Sequence, residues 1–130
     1  MKSTLCLVDD SADNRLLMHA ILDDRYDVIE FADGASALAA LQTAHPAVLL
    51  LDISLPDMDG TEVLARIRQD PRTRALPVIA LTGHARPDDR ARYLDAGFDE
   101  YVTKPIVDEA LLHRAIAHCL APVAPGDVIV

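Results

Sequence analysis

Ala47-Val48-Leu49-Leu50-Leu51-Asp52 is an unbroken apolar run that ends on a carboxylate. A strand with one wet face alternates apolar and polar residues. A short continuous run opened by a proline, here Pro46, instead fits a strand covered on both faces, as in a parallel sheet flanked by helices. Pro77-Val78-Ile79-Ala80-Leu81 repeats the pattern and meets Thr82; Leu5-Cys6-Leu7-Val8 repeats it and meets Asp9-Asp10. Each buried run therefore stops at a polar group.

Outward from these runs the chain alternates strand and helix. After Ser11, the residues Leu16, Leu17, Ala20 and Ile21 recur at helical spacing and predict a helix. Tyr26–Phe31 carries β-branched and aromatic residues, and Asp33-Gly34 breaks it before Ala35, Leu38, Ala39 and Leu41 resume a helical period. The loop after Asp52 holds Pro56 and closes at Gly60; Val63, Leu64 and Ile67 then mark a helix that stops before Pro71. Residues 86–96 read as a helix with Gly97 behind it, the residue favoured where a helix ends in a left-handed turn. Glu100–Thr103 reads as a last strand and 106–120 as a last helix. Asp88-Asp89 suit the start of the fourth helix through its dipole. Five strands alternating with five helices predict an α/β fold, a doubly wound parallel sheet of order 2-1-3-4-5 with helices on both faces. Residues 1–120 are expected to form one domain. Residues 121–130, with Pro122, Pro125 and Gly126, are expected to be a C-terminal tail or linker stub.

Composition narrows the function. Of 130 residues 51% are apolar, enough for one ordinary core. The formal net charge of -9, from 21 acidic and 12 basic residues, repels a phosphate backbone, so direct nucleic-acid binding is not expected. Cys6 and Cys119 have no metal-binding or disulfide spacing and read as free thiols of a reducing compartment. His19, His45, His84, His113 and His118 are scattered over different elements, which argues against a histidine zinc site. No stretch approaches the roughly 20 apolar residues that span a bilayer. The expectation is a soluble cytoplasmic protein.

In open parallel sheets ligands bind beyond the carboxyl ends of the strands, where the strand order reverses. Here Asp9-Asp10, Asp52, Thr82 and Lys104-Pro105 all fall at such ends, so they should share one rim. Clustered carboxylates repel one another unless a cation lies between them. Mg²⁺ suits the set because it takes one or two carboxylates, keeps several waters and completes its shell with phosphate oxygens. Lys104 can supply a flexible positive charge to a phosphoryl oxygen, and the Thr82 hydroxyl can donate to another. An acceptor carboxylate, a metal and two donors are what phosphoryl transfer needs.

Val8-Asp9-Asp10, the run Leu50-Leu51-Asp52-Ile53-Ser54-Leu55-Pro56-Asp57-Met58-Asp59-Gly60, Ala80-Leu81-Thr82-Gly83-His84 and Asp99-Glu100-Tyr101-Val102-Thr103-Lys104-Pro105 closely resemble, in order, the motifs of response-regulator receiver domains. The resemblance runs from Leu5 to Leu120. It implies a two-component signalling domain in which Asp52 is phosphorylated by a histidine kinase or histidine phosphotransfer protein. It also implies Mg²⁺, with Mn²⁺ as a possible substitute, held by Asp10 directly, by Asp9 largely through water, by Asp52 and by the backbone carbonyl of Ser54. Thr82 resembles the switch hydroxyl and Tyr101 the aromatic side chain that turns inward with it. Lys104 resembles the family lysine, whose bond to Pro105 is usually cis. Ser54 and His84 occupy positions that tune phosphoryl lifetime. The implied domain is no conventional enzyme: it catalyses only its own phosphorylation and dephosphorylation, and signals to a downstream protein through the surface of its fourth helix, fifth strand and fifth helix.

Three other readings fit less well, the first being a receiver-like binding module that is never phosphorylated, against which the intact set of Asp10, Asp52, Thr82 and Lys104 argues. A phosphohydrolase of the haloacid-dehalogenase type would carry a second carboxylate two residues after the nucleophile, where Ser54 stands. A flavodoxin-like nucleotide carrier would need a phosphate-cradling loop after the first strand, where Asp9-Asp10 present negative charge.

Overall fold

A computed structural model of the chain describes residues 2–83, 89–104, 106 and 108–120. Ten elements alternate along the chain. They are β1 (Ser3–Val8), α1 (Ala12–Leu22), β2 (Tyr26–Phe31), α2 (Gly34–Ala40) and β3 (Val48–Asp52), then α3 (Gly60–Gln69), β4 (Val78–Thr82), α4 (Asp89–Ala96), β5 (Glu100–Thr103) and α5 (Glu109–Leu120). The strands form one parallel sheet in the order β2-β1-β3-β4-β5, as the chain's alternation predicts.

The continuous apolar runs are buried throughout β3 and β4, and their successive side chains go to opposite faces. Leu49, Leu51, Val78 and Ala80 join Val63, Leu64, Ile67, Tyr93 and Phe98 in one core layer, supplied by α3, α4 and the turn after α4. Val48, Leu50, Ile79 and Leu81 join Met18, Leu22, Leu112 and Ile116 in the other, supplied by α1 and α5. This two-sided burial is why neither strand alternates in polarity.

Local chemistry sets the helix starts. Ser11 caps α1 by accepting from the Asn14 N–H, Asp33 caps α2 from Ser36, and Asp59 caps α3 from Thr61. Gly97, at φ +114°, follows α4 in the left-handed region.

Packing decides which faces of the first two helices are buried, and the last helix starts later than expected. The buried residues of α1 are Met18 and Leu22, whereas Leu16 and Leu17 are 72% and 44% exposed. Two apolar faces compete on this helix, and the one turned to the sheet in the folded chain wins. In α2, Ala35 and Ala39 are likewise exposed, while Gly34, Ala37 and Leu41 are buried. The last helix begins at Glu109, not 106: the Asp108 side chain accepts from the Ala110 N–H, so that aspartate sits at the entry. Residues 86–88 of the expected fourth helix, Asp88 among them, His84, Pro105 with its peptide bond, and 121–130 lie outside the described residues.

Candidate functional site

Strand parity decides what meets at the carboxyl rim. Asp9 continues the parity of Leu5 and Leu7, Asp52 that of Val48 and Leu50, and Lys104 that of Val102, so all three lean to the α1 and α5 side. Lys104 Nζ lies 3.0 Å from Asp52 Oδ2 and 3.3 Å from Asp9 Oδ2, bridging the pair. Asp9 is fully buried, Asp52 nearly so, and Asp10 exposed. The three acids each offer an oxygen within 4.8 Å of the others, the one such group among the described residues. None of the described histidines joins it.

The electrostatics follow. Burial pushes the Asp52 carboxyl above its usual range, and the Asp9 charge adds to this; the Ser54 N–H, 2.9 Å from Oδ1, and the Lys104 ammonium pull the other way without cancelling it. Burial alone would lower the Lys104 ammonium, but hydrogen bonding and attraction to Asp52, with a contribution from Asp9, outweigh it and leave it above its ordinary value. Lys104 balances one of three neighbouring carboxylates. The cluster remains short of positive charge, and its donors are hard oxygens, the set that suits a small divalent cation.

Thr82 ends β4 on the other face and is buried, with its carbonyl accepting the Lys104 N–H at 2.7 Å. Tyr101 is half-buried on the neighbouring strand, on the same face as Thr82 and opposite Ala80 in register. Its ring packs 5.9 Å from that of Tyr93 in α4. Ser54 is exposed and bridges to Asp59 across the β3–α3 loop. The structure thus gathers Asp9, Asp10, Asp52, Ser54 and Lys104 directly, and places Thr82 and Tyr101 beside them on the opposite face.

Residues 5–117 match the model of the response regulator receiver domain. The chain belongs to that family. A 14.6 kDa protein of Leptolyngbya boryana is 38% identical over 90% of this chain and 90% of its own length. Response regulator PleD of Caulobacter vibrioides is 36% identical over 88% of this chain, but this covers only 25% of PleD. The receiver domain of a sensor histidine kinase from Pseudomonas aeruginosa, a structure with magnesium coordinated in the active site cleft, is 31% identical. It superposes with a TM-score of 0.83 over 92% of this chain and 98% of that one. This is therefore a receiver domain of two-component signalling, with relatives in both response regulators and histidine kinases. Among the described residues, no helix is long and apolar enough to cross a membrane.

Several residues that hold the loops and strands in place carried no signal on their own. Asp57 accepts from the Gly34 and Ala35 N–H groups, tying the β3–α3 loop to the start of α2; these bonds hold its carboxyl below the usual range. Arg68 donates to the Leu76 and Gly97 carbonyls and to Asp99, which itself accepts from Val78, fastening the entries to β4 and β5. Arg15 donates to the Asp9 carbonyl. Such contacts join side chains to distant backbone, and no local spacing reports them. Cys6 and Cys119 are free, as their spacing predicts, and burial pushes the Cys6 thiol up to about 12.

Proposed function

We propose that Asp52 accepts a phosphoryl group from a phosphohistidine of a histidine kinase or histidine phosphotransfer protein. An Asp52 oxygen attacks phosphorus, the P–N bond breaks with its electron pair leaving to imidazole, and an acyl phosphate forms. The observation that carries this reading is the buried Asp52 carboxylate with the Lys104 ammonium on one oxygen and two further carboxylates alongside. Burial keeps this carboxylate more basic than a solvated one, which strengthens it as a nucleophile, while Lys104 keeps it anionic and within reach of a phosphoryl oxygen.

Asp9, Asp10, Asp52 and the Ser54 carbonyl would hold Mg²⁺, or Mn²⁺, which supplies charge neutralisation for the phosphoryl oxygens. Thr82 would donate its hydroxyl to another of those oxygens, and Tyr101 would follow it inward, changing the α4-β5-α5 surface that a downstream protein reads. Ser54 and His84 would set the phosphoryl lifetime. The domain catalyses only its own phosphorylation and dephosphorylation. The working unit is residues 1–120 in the cytoplasm, with 121–130 as tail or linker. The acidic surface gives nucleic acid no foothold.

Acetyl phosphate with Mg²⁺ should add one acid-stable, base-labile phosphoryl group, and Asp52→Asn should abolish it. Intact-mass spectra showing full modification of that variant, at a residue other than Asp9 or Asp10, would overturn the assignment.

A further inference from the structure

Asp10 poses a problem of position. It is exposed, and among the described residues no hydrogen bond or ion pair holds its carboxylate, yet that carboxylate lies within the 4.8 Å cluster with Asp9 and Asp52. Asp9, by contrast, is held at both carboxylate oxygens, by the Ser11 N–H at 2.9 Å and by Lys104 at 3.3 Å. The direction in which Asp10 leaves the backbone is therefore set by the backbone itself.

That backbone is pinned from α1. The Arg15 guanidinium donates from Nη1 to the Asp9 carbonyl, and its Nε lies 3.5 Å from Glu30 Oε1 on β2. Glu30 is fixed in turn: its Oε2 lies 2.6 Å from His19 Nδ1, one turn after Arg15 on the same helix. The Asp9 N–H is tied to the Phe31 carbonyl at 3.1 Å. The carbonyl Arg15 grips belongs to the Asp9–Asp10 peptide plane, and because that plane is rigid, fixing its oxygen also fixes its N–H and the Asp10 Cα. The grip is half-buried, with the Arg15 side chain 20% exposed, so water competes for it only in part.

We infer that Arg15, braced by Glu30, is a positioning residue: it orients the Asp9–Asp10 peptide and thereby holds the Asp10 carboxylate ready for the divalent cation. This rests on the cation site proposed above. Its physical parallel is the outer contact that orients a metal ligand, whose loss commonly costs about 10–100-fold in affinity.

The test is Mn²⁺ and Mg²⁺ affinity of the unphosphorylated chain, by NMR titration, for the parent and for Arg15→Met, Arg15→Lys, Glu30→Gln and Asp10→Ala, with urea unfolding of each. Arg15→Met keeps the aliphatic stem and should weaken cation binding about tenfold. Arg15→Lys, which keeps a donor but not the forked reach to Glu30, should recover part of it. Glu30→Gln should weaken binding less, and none of these losses should track the unfolding midpoint, as a merely structural role would require. Parent-like affinity in Arg15→Met beside a clear loss in Asp10→Ala overturns the inference alone. Parent-like affinity in both removes the cation site itself, and the inference with it. Should Arg15→Met not fold, Glu30→Gln decides the matter, and unchanged affinity in that variant overturns the role of the brace.

Discussion

Asp52 sits where a carboxylate is least comfortable, buried beside a second buried acid, and its pKa direction records the cost. The folded protein retains the Asp52 proton to higher pH than the unfolded chain does. Between the ordinary aspartate value and the folded one, the native state binds more protons, so this group's contribution to stability falls as pH rises through that window. Above the window the whole penalty is present. Asp52→Asn is fixed in the neutral form and should therefore unfold at higher urea than the parent at about pH 7 without divalent ions, the gap closing as pH falls toward about 4. Coincident midpoints at neutral pH would show that Lys104 fully offsets the burial. The proposed function gives the penalty a use: a carboxylate short of compensating charge would have affinity in reserve for a cation and a phosphoryl group. Asp9, Asp10, Asp52, Thr82 and Lys104 could all be picked out from the sequence because each stands at the end of a strand-like run, so topology alone brings them to one rim. Arg15 could not, since its contact depends on the path of a side chain from a helix back to a strand end.

Elements were legible to different degrees, for a physical reason. A strand buried on both faces announces itself by an unbroken apolar run, and β3 and β4 lie within a residue of where those runs place them. A helix must be read by its stripe, and α1 has two: Leu16 with Leu17, and Met18 with Leu22. Only the sheet's position selects between them. The loop joining β3 to α3 shows what element geometry demands of single residues. Gly60 opens α3 with its N–H on the Ile53 carbonyl at 2.8 Å. A Cβ there would lie 2.8 Å from Ile53 Cα and 2.9 Å from the Asp52 carbonyl oxygen, backbone atoms with no room to yield. At Gly34 the nearest obstacle is instead the Met58 side chain, at 2.7 Å, which can change rotamer. Gly60→Ala should cost about 1–3 kcal/mol in urea unfolding, and Gly34→Ala less. Because the strain falls on the Asp52 carbonyl, Gly60→Ala should also slow acetyl-phosphate labelling. Equal stabilities of the two variants would show that the loop relaxes as readily as a side chain.

At the scale of the whole molecule, the proposed phosphorylation of Asp52 has to reach a distant face if it is to signal. A group that binds two arrangements equally shifts neither, so some element must have two and the phosphoryl must favour one. The sheet supplies a route. Thr82 and Tyr101 lie on the same face of adjacent strands, and the residue opposite Tyr101 in register is Ala80, the smallest apolar side chain in β4. Tyr101 packs at a tilt of 35° against Tyr93, which is buried and meets Phe98 edge-on at 6.0 Å. A Thr82 hydroxyl drawn toward the phosphoryl oxygens would vacate space beside Ala80; a Tyr101 ring moving into it would leave Tyr93, and α4 would have to repack. Amide shifts on phosphorylation should therefore spread from the Asp52 rim through α4 and β5 into the first turn of α5, while the bottom of β1 and β2 stays still. Thr82→Ala should still be phosphorylated, because Asp52, Lys104 and the carboxylates remain, but its shifts in α4 and β5 should shrink. Tyr93→Ala should leave labelling intact and uncouple α4 from Tyr101. A full remote response in Thr82→Ala would place the coupling elsewhere, with the backbone bond from Lys104 to the Thr82 carbonyl, at 2.7 Å, as the path that remains.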